Sequence, residues 1–383
     1  MTTSELVYVL ALQHVPRMGD ITARKLIAHC GSARAVFEEK AGILQKINGI
    51  GRVVTENVRS PENLRAAERE LEFIENNDIR CSYFEDPDYP ERLKHCVDGP
   101  VLLFGSGNMS LEDKKIVSVV GTRRVTSYGK RFCERLIEEL APFDPVIVSG
   151  FAYGVDITAQ KAAMANGLQT VGCLAHGLNQ VYPRAHKRYV NQVEANGGFV
   201  TDFWSSSSPE RENFLKRNRI IAGLSEATVV IESAEKGGGL VTADIAHSYD
   251  REVFALPGRA DDRYSAGCND LIKSQKAHML TSAADMAYIL GWHRELRGTE
   301  IVSNNGKIKN REKAESLQVQ LFAELDETEK KVYDFLRTNG KELLDIIALE
   351  CQIPVYKASS MLLSMEMKGA VRPLPGKLFE AVN

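Results

Sequence analysis

Residues 213–223, which read NFLKRNRIIAG, have the residue types and spacing best suited to binding a phosphate. Lys216, Arg217 and Arg219 place three cationic side chains within one turn of a predicted helix. A guanidinium is a planar fork of donors that matches phosphate oxygens, and the start of a helix favours anions. The alternative for an isolated cluster of this kind is a solvated basic helix face. The neighbouring elements decide between the two.

Between residues 116 and 290, short apolar runs alternate with helical periods. The runs cover residues 116–120, 146–148, 170–174, 199–200, 228–231, 253–256 and 278–280. This alternation predicts an α/β fold, with a parallel sheet covered by helices on both faces. Most of the runs end in small residues, and a ligand of such a sheet lies beyond the carboxyl ends of its strands. Residues 213–223 precede the fifth run and so fall on this same edge, which favours an anion site.

Gly121, Thr122 and Arg123 follow the first run. A dinucleotide fingerprint requires two further glycines at fixed spacing, and a Walker loop requires a lysine followed by Ser or Thr; neither pattern is present. The sequence therefore predicts no nucleotide cofactor. A glycine turn, a helix start and an arginine remain, and together they suit one phosphate.

Three other groups of residues bear on chemistry. In the segment that begins Ser149-Gly150, the glycines permit close approach of an anion, and Phe151 or Tyr153 either stacks on a base or packs in the core. His176 and His186 share no metal-ligand spacing with another His, Cys or carboxylate, so no metal site is predicted and both are expected at the surface or in turns. Glu232 is placed to act as an acid or base, but no second carboxylate or nucleophile stands at a matching spacing.

The composition is that of a soluble globular chain of two or three domains: 383 residues, 44% hydrophobic and 26% charged, with a formal charge of −3. Any attraction to nucleic acid must therefore come from local clustering. The seven cysteines are scattered, which argues for reduced thiols and against structural zinc. With no signal peptide and no membrane span apparent, a cytoplasmic location is expected.

The composition along the chain changes at three points. Residues 1–67 are predicted to be helical and contain two glycine turns, each leading into a helix, an arrangement that resembles a tandem helix-hairpin-helix or SAM-like domain; two turns between core helices are the alternative. Residues 68–291 hold the α/β domain, which begins with a connector at residues 68–115 that contains two predicted short strands, 79–84 and 101–104. Residues 292–325 are polar and predicted to form a linker. In residues 326–383 the sequence predicts three helices, at 329–338, 342–350 and 355–368, and then two short strands within 370–379 about a turn at residues 375–377, as in a winged helix. That unit has nine acidic and eight basic residues, which favours a regulatory or protein-binding role over strong duplex binding.

Seven ordered motifs connect the chain to a known family: VVGTRRVTSYG, SGFAYGVDITA, GLNQVYP, NFLKRNRIIAGLS, GGGLVTADIA, VFALPG and SAGCNDLIK. In this order they closely resemble the DNA-processing protein A (DprA/Smf) family over residues 70–290. The helical front and the winged-helix tail resemble accessory domains of its longer members. The resemblance implies a Rossmann-like core that binds single-stranded DNA and dimerises. It also implies a cytoplasmic role in natural transformation, in which incoming DNA is protected and the RecA recombinase is loaded.

The resemblance also implies a set of DNA-binding residues. Carried over by motif, the set is Gly121, Thr122, Arg123, Ser149, Gly150, Lys216, Arg217, Asn218, Arg219, Gly238 and Gly239. Phe214 lies beside these cations in the sequence, and we expect its ring to stack on bases. Four positions depart from the family pattern: Gln160, Asn179, Leu215 and Gly238 stand where histidine, aspartate, proline and serine are usual. No catalytic residue is expected.

The rival hypothesis is an enzyme, a nucleoside-monophosphate hydrolase that resembles the lysine-decarboxylase-like family. That family also combines a Rossmann form with a glycine-rich phosphate turn. Its P-G-G-x-G-T-x-x-E motif would have to lie at residues 237–244, where the glutamate is absent and the threonine is displaced.

Overall fold

The computed structural model describes residues 1–292, 325–368, 370–374 and 378–381. The described residues form two compact units, one before and one after residues 293–324. Apart from its two end residues, the predicted linker 292–325 lies outside the described part of the chain.

The first unit is built on a nine-stranded sheet in the order β1-β2-β6-β5-β4-β3-β7-β8-β9. The strands are β1 (Arg80–Tyr83), β2 (Leu102–Gly107), β3 (Ile116–Gly121), β4 (Val146–Ser149), β5 (Thr170–Cys173), β6 (Gly197–Thr201), β7 (Ala227–Ile231), β8 (Glu252–Ala255) and β9 (His278–Met279). Strands β3 to β9 are parallel, so all seven predicted runs are confirmed as strands. Strands β1 and β2 extend the sheet in antiparallel pairing beyond β6. The sequence predicted these two as short strands of a connector and did not assign them to the sheet.

Alternating residues of β3 show how the sheet buries both faces. Ile116 and Val120 pack on one side, and Val117 and Val119 on the other, all at 4% exposure or less. Successive side chains of a strand point to opposite faces, so a fully apolar strand requires cover on both. The fold class predicted from the sequence, a parallel α/β core, is therefore confirmed, with a mixed edge at β1 and β2.

The described residues of the first unit include fourteen α-helices. Those before β2 are α1 (Thr3–His14), α2 (Asp20–Cys30), α3 (Ala33–Glu38), α4 (Ala41–Leu44), α5 (Arg52–Val58), α6 (Pro61–Asn76) and α7 (Glu91–Lys94). Those after β3 are α8 (Ser127–Leu140), α9 (Val155–Ala165), α10 (Val190–Ala195), α11 (Arg211–Leu224), α12 (Gly238–Ser248), α13 (Ala266–Lys273) and α14 (Ala283–Ile289). Helices α7, α11, α12 and α13 pack on one face of the sheet, and α8, α9 and α14 on the other.

Helices α1 to α6 form a helical layer that shares an apolar core with β1 and β2. Both predicted glycine turns lead into helices as expected, since Gly19 caps α2 and Gly51 caps α5. Helix α6 runs to Asn76, across residue 67 where the sequence placed the end of the first domain. The helix-hairpin-helix likeness and the domain boundaries stay predictions.

The path of the chain creates a crevice at the carboxyl end of β3. From β3 the chain moves through β4, β5 and β6 in one direction, and it then returns to place β7 on the other side of β3. The connections after β3 and after β7 therefore leave the sheet on opposite faces, and a gap opens between them. In doubly wound sheets this point is where ligands bind.

The second unit contains three helices and a small sheet. Its elements are α15 (Glu327–Asn339), β10 (Glu342–Leu343), α16 (Leu344–Glu350), α17 (Val355–Met367), β11 (Val371–Leu374) and β12 (Leu378–Ala381), with sheet order β10-β12-β11. This arrangement agrees with the predicted winged helix. Residue 342 was expected to begin a helix but begins β10 instead, because Glu342 and Leu343 pair with β12. The turn predicted at residues 375–377 lies outside the described residues.

No single helix within the described ranges has both the length and the apolar character to cross a membrane. One bent pair, Leu344–Glu350 with Val355–Glu366, meets these two criteria when taken together.

We expect Glu329 to hold the second unit together. It caps the start of α15 by accepting from the Asp326 N–H at 2.9 Å, and it also accepts from the ammonium of Lys368, the residue directly after α17, at 2.6 Å. Burial alone would raise its pKa, but these donors outweigh burial, so the pKa lies below the ordinary value of 4.5. Such a carboxylate stabilises the fold above its unfolded-state pKa, and the contribution is lost as the pH falls below 4.5.

In the full chain, Glu329→Gln should therefore lower the unfolding free energy of this unit by about 1.5–3 kcal/mol at pH 7. Hydrogen exchange of peptides from α15 and α17 measures the effect. The exposed Glu366→Gln is the matched control. Equal protection in both variants would contradict the assignment, and so would a difference that persists unchanged well below pH 4.

Candidate nucleic-acid interface

The crevice at the end of β3 opens into a cavity of about 1280 Å³. Its walls come from the connections after β3 to β8, from one side of α11, and from parts of α12 and α13. Of the predicted site residues, those that line it are Gly121, Thr122, Arg123, Phe214, Arg217, Asn218, Gly238 and Gly239. The topology thus brings together motifs that are more than a hundred residues apart in sequence.

Gly121 shapes the floor of the cavity. A Cβ at this position would overlap the carbonyl oxygen of Ile231 on the neighbouring strand, so only glycine fits. The Thr122 N–H donates to the Glu232 carbonyl at 2.8 Å, which fixes the turn. Across this turn lies Gly239, at the start of α12, where an added Cβ would lie 3.2 Å from the Gly121 Cα. Two glycine turns therefore meet here, and the exposed backbone at the start of α12 favours an anion.

Arg217 occupies the deepest cationic position. Its side chain passes directly over Gly150, where any Cβ would overlap both terminal nitrogens of the guanidinium. The residue is 4% exposed, it donates one N–H to the Cys173 carbonyl, and its Nε has no hydrogen-bond partner. Since a guanidinium has five N–H donors, it has capacity left for an anion in the cavity.

Asp156 lies beside Arg217, and its carboxylate offsets the positive charge of the guanidinium. Burial lowers the pKa of the guanidinium, and the neighbouring Asp156 carboxylate opposes this change. Burial likewise raises the pKa of Asp156, while Arg217 and the Ala152 N–H counteract it. The Asp156 carboxylate thus balances a buried cation and also accepts from the first residues of the loop before α9.

An aromatic and arginine stack lies at the mouth of the cavity. The Phe214 ring has the Arg123 guanidinium over it at 5.1 Å and that of Arg217 at 5.9 Å. The Tyr182 ring packs edge-on against the Phe214 ring, with 5.7 Å between the ring centroids. Tyr182 is 41% exposed, so an aromatic face is open to solvent next to the cations.

Arg219 does not reach this cavity. Its guanidinium is 12% exposed and lies in ion pairs with Asp20 at 2.9 Å and with Asp202. The expectation that it shares a face with Arg217 is therefore corrected: two residues along a helix correspond to about 200° of rotation. Lys216 is exposed on the helix surface and does not line the cavity either.

Two further predicted residues, Ser149 and Gly150, support the site from outside the cavity. Ser149 is fully buried, and its hydroxyl donates to the Val119 carbonyl at 2.6 Å, so it ties β4 to β3. Gly150 provides the space for Arg217, as described above. Neither lines the cavity.

The groups considered for acid–base or metal chemistry are engaged elsewhere. Glu232 is 2% exposed, and its carboxylate accepts from the Thr126 N–H at 2.7 Å and the Gly129 N–H at 3.1 Å, which caps α8. His176 and His186 are buried rather than at the surface, and burial lowers the pKa of both. In the described part of the chain, no cluster of three His, Cys, Asp or Glu side chains is arranged to hold a metal ion.

Arg211 lines the cavity and was missed by the sequence reasoning. It is exposed at the start of α11, on the same side as Phe214, Asn218 and Ile221. These positions recur at intervals of three and four, as residues on one face of a helix do. Counting this period from Phe214 in the sequence identifies Arg211 and the face of α11 that lines the cavity.

Profiles of two families match the chain. The profile of DNA recombination-mediator protein A matches residues 80–291, and that of the DprA winged helix domain matches residues 320–377. The first match covers more than half of the chain and includes every element around the cavity.

Individual relatives agree with these profiles. DNA processing protein DprA of Streptococcus pneumoniae is 37% identical over 201 residues, which are 52% of this chain and 71% of that protein. Its X-ray structure aligns with a TM-score of 0.63 at 29% identity and covers 75% of this chain and 98% of that one.

A structure of DNA processing protein A from Helicobacter pylori, studied for its unique single-stranded DNA binding mode, aligns with a TM-score of 0.50 at 29% identity. It covers 55% of this chain and 95% of that one. The ordered motifs, the sheet topology and the profile match lead to one conclusion: the chain belongs to the DNA recombination-mediator protein A family, the DprA/Smf family that its motifs resemble.

Proposed function

We propose that this protein binds single-stranded DNA in the cavity at the end of β3. The observation that carries the proposal is the arrangement of Arg123, Arg211 and Arg217 around two glycine turns at the switch point of the sheet. Arginine forks and bare N–H groups bind phosphate, and Phe214 with Tyr182 offers rings on which bases stack. The relative from Helicobacter pylori, described for its single-stranded DNA binding mode, supports the same assignment.

The depth of the site selects single strands over duplex. Arg217 is only 4% exposed, so a phosphate reaches it only if the backbone bends into the cavity. A flexible single strand can do so, whereas a stacked duplex keeps its phosphates on a stiff outer surface. Stacking on Phe214 and Tyr182 also requires bases that are free of their partners.

We further propose that the bound strand is incoming DNA in natural transformation, and that the protein protects it and loads RecA onto it in the cytoplasm. Membership of a recombination-mediator family supports this part of the proposal. A homodimer would present two cavities to one strand and raise avidity through effective concentration.

No catalytic step is part of the proposal. Glu232, the carboxylate best placed in the sequence for acid–base chemistry, is occupied by the cap of α8.

Incubation of the pure protein with AMP should release no adenine. Adenine formed at a rate that tracks protein concentration would favour the hydrolase instead.

The direct test compares labelled single-stranded and duplex oligonucleotides of equal length across a salt series. We expect tighter binding of the single strand and a linear fall of log K with log salt, since phosphate contacts release counterions. Equal affinities for both forms, or binding of duplex alone, would contradict the proposal.

Arg123→Ala tests the phosphate contact at the mouth of the cavity. Arg123 is exposed, so its removal should leave the fold intact while flattening the salt slope by about 0.7, the value of one phosphate contact on a single strand. Lys114→Ala, before the amino end of β3, is the control for loss of one positive charge. If both variants changed the slope equally, the effect would be one of bulk charge.

Phe214→Leu tests stacking separately from charge. We expect affinity to fall by the equivalent of about 1–3 kcal/mol per stacked base, with the salt slope unchanged. Phe143→Leu, a partly buried ring beside Trp292 and away from the cavity, is the control. Parent affinity in Phe214→Leu would remove the ring from the site.

A further inference from the structure

We propose that Arg219 is a positioning residue for the single-stranded DNA site: held by Asp20 and Asp202, it fixes the orientation of α11 and thereby aims Arg217 into the cavity. This inference rests on the proposed function. It assigns a role in DNA binding to two carboxylates that never touch the strand. It also makes the helical layer part of the DNA site, since Asp20 belongs to that layer.

The two faces of α11 have separate tasks. Phe214, Arg217 and Asn218 lie on the face that lines the cavity, whereas Arg219 points away from it. A rotation or shift of the helix that relaxed the outer face would move the inner face by a similar amount, because the two are joined by one rigid backbone.

Arg219 is fixed from three directions. Its Nη2 lies 2.9 Å from Asp20 Oδ2 and also contacts Asp202, while its Nη1 donates to the Asp98 carbonyl. Burial alone would lower the pKa of this guanidinium, but Asp202 and Asp20 outweigh burial and raise it. The side chain is therefore a permanent cation in a largely buried position.

The partners of Arg219 come from separate parts of the fold. Asp20 begins α2 in the helical layer, Asp98 lies in the segment after α7, and Asp202 follows β6 directly. One side chain of α11 thus joins the helical layer, the connector and the sheet.

The loop that carries Asp202 is itself anchored to the helical layer. The Ser205 N–H and hydroxyl donate to Glu70 of α6 at 2.7 and 2.6 Å, and Trp204 Nε1 donates to Gln13 of α1 at 3.1 Å. The ion pair between Asp202 and Arg219 therefore transmits the position of the helical layer to α11.

Asp202 depends on Arg219 in return. Its Oδ1 is buried without a hydrogen-bond partner, and burial raises the pKa of the carboxyl while Arg219 opposes the change. When one member of a buried ion pair is removed, the other is left as an uncompensated charge and its surroundings rearrange.

Substitution of Asp20 or Asp202 changes the affinity for single-stranded DNA in a direction that depends on the role of Arg219. Replacing Asp20 or Asp202 by Asn removes a negative charge and one of the two ion pairs that hold Arg219. If only long-range charge mattered, or if Arg219 were a phosphate ligand, DNA would bind more tightly. If Arg219 positions α11, DNA binds more weakly.

The experiment measures single-strand affinity of the full chain for Asp202→Asn and Asp20→Asn, with Glu72→Gln on the exposed surface of α6 as the control for loss of one carboxylate. We expect both Asn variants to bind about 2- to 30-fold more weakly and the control to bind like the parent. In an Arg217→Lys background, where the fork being aimed is absent, the Asn substitutions should cause little further loss.

Should Asp202→Asn fail to fold, Asp20→Asn decides, since the Asp20 side chain is 22% exposed. If Arg217→Lys bound single-stranded DNA as tightly as the parent protein does, the proposed DNA site itself would be wrong. A weakened Arg217→Lys together with parent or tighter binding in the Asn variants would overturn the positioning role alone, as would full additivity of the two effects.

Discussion

A guanidinium can lie at the centre of this sheet edge only because residue 150 has no side chain. The Arg217 fork fills the space that a Cβ would take, and Asp156 beside it balances the buried charge. Burying an unpaired cation is costly, so the position must be supported by neighbouring acceptors and by a rigid helix. The Cys173 carbonyl and the tightly packed α11 supply that support. Arg217 lines a large cavity and its Nε has no hydrogen-bond partner, and these two observations are the basis of the proposed DNA site.

Helix α11 connects this site to the rest of the first unit. Its inner face carries the residues that line the cavity, and its outer face carries Arg219, which reaches the helical layer and the loop after β6. The same NFLKRNRIIAG segment thus combines a binding surface with an internal anchor. The site requires a cation that can bind DNA and a helix that is held in place. Arg217 meets the first requirement and Arg219 the second, so the two have different surroundings although they lie close in sequence.

The sequence predicted the main architecture because strand signals in a doubly wound sheet are local. Apolar runs such as 116–120 must be buried on both faces, and their small-residue ends place the glycine turns at one edge. The pairing of β1 and β2 with β6, by contrast, depends on long-range hydrogen bonds that no local pattern records. The surroundings of Arg219 were missed for the same reason, since Asp20 lies 199 residues away in sequence. Arg211 was within reach of the sequence, because a strict helical period through Phe214 passes through it.

A crystal structure of the full chain with a short oligothymidylate would be the decisive experiment for the proposed site. We expect a phosphate against the Arg217 guanidinium and the start of α12, with a base on the Phe214 ring. A strand bound along the second unit or on the outer surface of the sheet, with Arg217 still facing an unchanged cavity, would contradict it.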